Sequence, residues 1–170
     1  MPRLHVCSLA LIGEIASRTG ARSLVTLLEP GTRVDRPPAI APGRHLYLGV
    51  SDIIAPMPGR ALPDHSHLDE LIAFVSAWDR VDPMLIHCFA GVSRSTAAAF
   101  ISVCALAPER DEFEIARALR AASPTATPNA RLVALADATL GRRGRMNGAI
   151  AEIGRGEECF EGTPFALELA

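Results

Sequence analysis

Apolar residues fall into runs and spacings that divide the chain into an early alternating part and a late helical part. The run LHVCSL at 4–9 predicts a short strand. It leads into a segment with Leu11, Ile12, Ile15 and Ala16 at helical spacing, and Gly20 stands where such a helix stops. SLVTLLE at 23–29 is continuously apolar, the pattern of a buried strand. Residues 30–44 hold four Pro and two Gly and read as a loop. A third strand is expected at 45–52, followed by a second Pro-rich loop to Pro63. Residues 67–79 place Leu68, Leu71, Ile72, Val75 and Trp78 on one helical face, with Asp64 or Ser66 able to cap it. A fourth strand occupies 83–88.

Helices are expected at 93–107, 109–122 and 129–144, the first apolar nearly all round and therefore central. The second opens with acids and closes with Arg, in accord with the helix dipole. The remainder has a short helix at most, then an extended tail in which Phe165, Leu167 and Leu169 alternate with Ala166 and Glu168. The whole predicts one α/β domain with a four- or five-stranded, mostly parallel sheet flanked by helices. Residues 1–145 form its body, and 146–170 a C-terminal helix and tail packed on it.

Composition narrows the function. With 49% hydrophobic residues and a net charge of −2, the 170-residue chain is neither disordered nor a basic nucleic-acid binder. No apolar stretch is long enough to span a membrane. Every basic residue is Arg, so Lys chemistry is excluded and an anion must be held by Arg, His or backbone amides. Cys7, Cys88, Cys104 and Cys159 show no paired or zinc-ligand spacing, which points to a reducing, cytoplasmic setting with no metal or other cofactor. Cys7, Cys104 and Cys159 read as structural or idle. His65 and His67 read as flanking a solvated loop, and Arg142, Arg143 and Arg145 as a charge set at a helix end.

The segment LIHCFAGVSRSTAAAF carries the chemistry. A buried strand ends at His87-Cys88, and an Ala-rich helix begins six residues later near Arg94 and Ser95. A loop of this length can curl around one tetrahedral anion, with the amides of Phe89, Ala90, Gly91, Val92, Ser93 and Arg94 pointing inward. The helix start adds positive potential, and the Arg94 fork can grip two phosphate oxygens. Gly91 permits the positive φ that the curl needs. Cys88 then lies beneath the bowl, in a field that favours the nucleophilic thiolate.

HCFAGVSRS resembles the signature loop of the cysteine-dependent protein tyrosine phosphatase superfamily: His-Cys, five residues, Arg, then Ser or Thr. The short chain is similar to the small dual-specificity or atypical branch. The resemblance implies phosphate monoester hydrolysis through a cysteinyl-phosphate on Cys88, with a phosphorylated protein or small phosphate ester as partner and phosphate or sulfate able to sit in the loop. It implies that His87 hydrogen-bonds around the cysteine. Ser95, otherwise an ordinary N-cap, would ease departure of the thiolate.

A general acid must protonate the leaving oxygen. Asp52, 36 residues before Cys88 at the end of a strand, and Asp64, 24 before, compete for that role. Asp52 is preferred because Asp64 also explains itself as a helix cap. Asn129, in a Pro-Asn segment similar to the family's, is either a support for the phosphate loop or a plain N-cap. No basic residue stands among the loop's variable positions, which counts against phosphoinositides. Two rival readings remain: a non-catalytic phosphate-recognising module, and a rhodanese-like sulfur transferase.

Overall fold

The computed structural model describes residues 3–170. Five strands form one sheet: β1 (Arg3–Ser8), β2 (Ser23–Leu28), β3 (His45–Gly49), β4 (Met84–Cys88) and β5 (Phe165–Glu168), in the order β3-β2-β4-β1-β5. The first four are mutually parallel. The C-terminal β5 is antiparallel to β1, with Val6 opposite Phe165 and Leu4 opposite Leu167. The alternating tail residues thus cover the β1 edge, which would otherwise expose a row of unpaired backbone groups.

Strand alternation sorts the core into two layers. Leu4, Val6, Val25, Leu27, Met84 and Ile86 pack with α3 (Arg94–Leu106) and the helices around it. Cys7, Leu24 and Leu85 face the other way, toward α1 (Ile12–Thr19) and Ile40 of the Pro-rich loop. Ala97, Ala98 and Ala99 of α3 are fully buried; their small side chains let the helix lie close to the sheet. Around α3 stand α2 (His65–Ser76), α4 (Glu112–Ala122) and α5 (Ala130–Thr139), with α6 (Arg145–Ile153) against α4 and α5. No helix of the described residues is long and apolar enough to cross a membrane.

Three details depart from the sequence reading. The third strand stops at Gly49 and not at residue 52, so Asp52 lies in the loop beyond it. The helix expected over 129–144 ends at Thr139, because Asp137 turns back: its carboxylate accepts the amides of Gly144 at 2.7 Å and Met146 at 2.8 Å and so starts α6. His65 and His67 belong to the first turn of α2, where His67 Nδ1 accepts the Asp64 amide at 3.1 Å in a capping box.

The arginine set is not all at the surface either. Arg142 is 8% exposed, donates to Glu112 at 2.9 Å and to the Cys104 carbonyl at 2.7 Å, and so ties α3 to α4. Arg145 meets the same carboxylate at 3.2 Å. Burial pushes the Glu112 carboxyl up, but the hydrogen bonds from Arg145 and Arg142 outweigh it and hold the group below its usual range.

Candidate active site

β4 delivers Cys88 to the end of the sheet and α3 begins at Arg94, so residues 89–93 must turn between two buried elements. The turn closes on Gly91, at φ +73°; a Cβ there would sit 2.9 Å from the Cys7 carbonyl carbon and 3.0 Å from the Ser8 nitrogen. Glycine is required both by the backbone angle and by the strand behind it.

The loop's carbonyls are engaged from outside. Phe89 O accepts the Leu9 amide at 3.1 Å, and Ala90 O the Gly162 amide at 2.9 Å. Val92 O accepts the Thr127 amide at 2.9 Å and the Thr96 hydroxyl at 2.6 Å. Ser93 O accepts the Asn129 amide at 3.2 Å. With four of the five carbonyls of residues 89–93 committed to these donors, the concave side is left to N–H groups, the arrangement of an anion nest. Cys88 Sγ lies 3.1 Å from Ser95 Oγ, and both residues are buried. Arg94 is 7% exposed; Nη1 donates to the Val50 carbonyl at 2.9 Å, while its buried Nε has no hydrogen-bond partner among the described residues. A buried guanidinium N–H without a partner is costly, and an anion in the loop would satisfy it.

Behind the cysteine runs a polar chain across the sheet. His87 Nδ1 lies 3.1 Å from the Cys88 carbonyl, which can only accept, so the ring proton is on Nδ1. Nε2 then accepts from the Thr26 hydroxyl at 2.7 Å, and that oxygen accepts in turn from His45 Nε2 at 2.8 Å. Burial is the main cause that lowers the His87 pKa to about 4, keeping the ring neutral. Burial likewise pushes the Cys7 and Cys104 thiols up to about 12. Cys159 is exposed, and all four cysteines are free.

The two aspartates differ sharply. Asp52 Oδ1 accepts from Ser93 Oγ at 2.7 Å and from Asn129 Nδ2 at 2.9 Å, which moors it to the phosphate loop. Asp64 caps α2 through the Ser66 and His67 amides. Its slight burial would raise its pKa, but those hydrogen bonds and the His67 ring hold the carboxyl below its ordinary value, the wrong direction for a proton donor. Asn129 makes contacts on three sides. Its Oδ1 caps α5 at the Leu132 amide, its backbone amide holds Ser93 O, and its side-chain amide reaches Asp52 and not the loop itself. The N-cap position of α3 belongs to Ser93, leaving Ser95 inside the helix and free to face the sulfur.

Comparison with known proteins agrees with this geometry. The protein-tyrosine phosphatase family model matches residues 58–129, a span that contains the whole Cys88–Arg94 loop. Over that span the chain is similar to the protein-tyrosine phosphatases. A mouse putative dual specificity phosphatase, solved with zinc tungstate, superposes with a TM-score of 0.62 at 20% identity, covering 86% of each chain. Human DUSP28 gives a TM-score of 0.62 at 20% identity over 88% of this chain and 94% of its own. PTPMT1 gives 0.59 at 11% identity over 88% and 94%. These structures share the fold. No protein of curated function matches the sequence.

Several contacts of the Cys88–Arg94 loop carry little signal in the sequence. Thr26, His45, Thr96, Thr127 and Gly162 all touch the loop or its supports. Thr96 alone had a signal, a β-branched hydroxyl residue in a helix's first turn, where it can bond backward to carbonyls. The others reach the site through the sheet or the tail, from up to 74 positions away in the case of Gly162 and Cys88.

Proposed function

We propose that the protein hydrolyses phosphate monoesters of protein side chains by a two-step covalent mechanism. The observation that carries the reading is the buried Arg94 Nε, without a partner among the described residues, beside a loop in which the carbonyls of Phe89, Ala90, Val92 and Ser93 accept from outside donors, with the Cys88 sulfur against Ser95. The Cys88 thiolate attacks phosphorus in line, and the bond to the ester oxygen breaks. Arg94 and the amides of residues 89–94 stabilise the equatorial oxygens, and Asp52 gives its proton to the leaving oxygen. Water then attacks the phosphocysteine. Asp52 takes the water's proton, the S–P bond breaks, and the Ser95 hydroxyl donates to the departing thiolate. His87 fixes the Cys88 backbone, and Asn129 holds Asp52 and Ser93 in place.

The mouse relative's crystals contained tungstate, a tetrahedral oxyanion like phosphate, which supports the same preference here. Residues 1–145 are assigned the catalytic body and 146–170 the tail that packs on it. The four free cysteines suit a reducing, cytoplasmic setting.

The test is a phosphate ester against thiosulfate. The wild-type protein should hydrolyse p-nitrophenyl phosphate and leave thiosulfate untouched. Cys88→Ser should abolish turnover while retaining phosphate binding, and Arg94→Lys should lose both, because a point charge cannot supply the planar fork. Sulfur transfer from thiosulfate, or undiminished hydrolysis by Cys88→Ser, would refute the mechanism.

A further inference from the structure

Among the described residues, five large apolar side chains are exposed: Ile54, Met57, Val81, Phe89 and Phe160 at 53–96%. All but Val81 stand around the phosphate loop. Ile54 and Met57 line a cleft of about 480 Å³ whose inner wall is Asp52, Ser93 and Asn129. Phe89 and Phe160 line a second hollow of about 260 Å³ with Leu9, Ala10 and Ala90. Ser93 belongs to one end of the loop and Phe89 and Ala90 to the other, so each end borders its own apolar hollow.

Phe160 is 96% exposed, yet it is not on a free end. The Gly162 amide donates to Ala90 O at 2.9 Å, and a Cβ at Gly162 would come within 2.8 Å of Gly91 O. The Glu161 carboxylate accepts from the Ser8 hydroxyl. On the other side, the Gly156 amide donates to Thr127 Oγ1 at 3.0 Å and the Glu157 amide to Pro124 O at 2.9 Å. The segment is pinned at both ends, with its aromatic side chain held out beside the loop. A fixed, exposed aromatic flanking an anion site marks a binding surface.

Continuity with the loop identifies the occupant. A phosphate seated over Cys88 leaves its ester chain between the two hollows, and a polypeptide advances about 3.3–3.6 Å per residue. Residues close to the phosphorylated one on each side therefore come to lie at the apolar walls. An anionic membrane surface fits poorly. Asp52, Glu157 and Glu158 line the adjoining wall, Glu161 the second hollow, and Arg155, itself 3.4 Å from Glu158, is the cation among them.

We propose that the substrates are phosphorylated polypeptides with large apolar side chains on both sides of the phosphorylated residue. This rests on the phosphatase reading above. The experiment compares phosphopeptides flanked by Leu and Phe, by Ala, or by Glu with p-nitrophenyl phosphate and with anionic vesicles carrying a phosphoinositide. The apolar flanks should raise kcat/KM about tenfold over Ala, mainly through KM. In Phe160→Ala and Met57→Ala, the ratio of apolar-peptide to p-nitrophenyl phosphate kcat/KM should fall several-fold, with the Ala-flanked ratio steady. Equal rates for Leu and Ala flanks, or faster hydrolysis of the vesicle lipid than of every peptide, would overturn the proposal. Binding of the same peptides to Cys88→Ser separates the two readings. Tenfold tighter binding of the apolar peptide without hydrolysis by wild type would uphold the surface and remove the phosphatase; hydrolysis without that preference would do the reverse.

Discussion

Replacing Gly91 by Ala tests whether the loop's curvature is the source of both stability and rate. Two penalties act at once. At φ +73° an L-residue costs about 1–2 kcal/mol relative to Gly. The new Cβ would also lie 2.9–3.1 Å from the Cys7 and Ser8 backbone, and no side-chain rotation can relieve a clash with backbone. Restoring an ordinary carbon contact of about 3.5 Å needs a shift of roughly 0.6 Å between the loop and β1. Overpacking of this kind costs about 1–3 kcal/mol, so Gly91→Ala should lose about 2–5 kcal/mol in urea denaturation. A displacement of 1 Å in a reacting group can cost about 100-fold in rate, so kcat on p-nitrophenyl phosphate should fall at least tenfold in protein shown by circular dichroism to be folded. The inhibition constant for inorganic phosphate should rise in parallel, because the amides move with the loop.

Gly20 supplies the control, since it has the same φ of +73° at the end of α1 and nothing within 4 Å of its Cβ position. Gly20→Ala should lose about 1 kcal/mol and keep its kcat and phosphate affinity. If the two variants lose stability equally and Gly91→Ala retains the wild-type kcat, the close packing of the loop on β1 does not govern the site.

Three further outcomes follow from the same geometry. Asp52→Asn should lower kcat by about 10²–10⁴ on an alkyl or phenyl phosphate, and by less on p-nitrophenyl phosphate, whose leaving group needs little protonation. Asp64→Ala should cost about 1 kcal/mol of stability with kcat retained, and the opposite ranking in stopped-time assays would exchange the two roles. Glu112→Ala leaves Arg142 buried without its carboxylate and should cost about 3–5 kcal/mol, whereas Arg117→Ala, which removes an exposed pair with Glu152, should cost under about 1; similar urea midpoints for the two would refute the buried-pair argument. His87 titrates at about 4 when folded and near 6.5 when unfolded, so its contribution is complete above pH 6.5 and is lost as pH falls toward 4, by about 3 kcal/mol in all. His87→Asn should therefore show a shallower decline in stability between pH 6.5 and 4 than wild type; parallel curves would contradict a buried neutral imidazole.

What the sequence disclosed is what local order encodes. The buried run of β4, Gly91, Arg94 and the Ala-rich α3 are contiguous, so strand, curl and helix start could be read together. Asp64 could be read as a cap because its partners are two and three residues away. Thr26 and His45 could not be read as supports of His87 and Cys88, because a Thr in an apolar run and a His at a strand start carry no local sign of what lies opposite. Their partnership exists because β2 sits between β3 and β4. The burial of Arg142 could not be read for a similar reason. Three arginines in a turn pattern as surface charge, and only the packing of α4 against that turn brings Glu112 to meet one of them inside. Asp52 was placed near the site but assigned to a strand, since VSD continues the alternation of β3 after its neighbour β2 has ended at Leu28.

The phosphate loop has no hydrogen-bonded shape of its own; it is held by five donors from four places in the chain. Leu9 follows β1, Thr96 lies in α3, Thr127 and Asn129 precede α5, and Gly162 precedes β5. An isolated loop with inward amides is electrostatically unfavourable, because parallel N–H dipoles repel when no anion is present. The outward bonds offset that repulsion by fixing the carbonyls of Phe89, Ala90, Val92 and Ser93, at roughly 1 kcal/mol net apiece. This divides the work between stability and catalysis. The strands and α3 place Cys88 and Arg94, but the curvature of the loop between them depends on contacts that arrive late in the sequence, the last from the tail. β5 therefore has a role beyond covering an edge of the sheet. By pairing with β1 from Arg3 to Val6, it sets where Gly162 stands, and Gly162 meets Ala90 and Gly91 while Thr127 and Asn129 meet Val92 and Ser93. The bowl is clamped between the tail and the segment before α5, so a loss at either side releases carbonyls toward the anion and weakens phosphate binding while the central sheet remains intact.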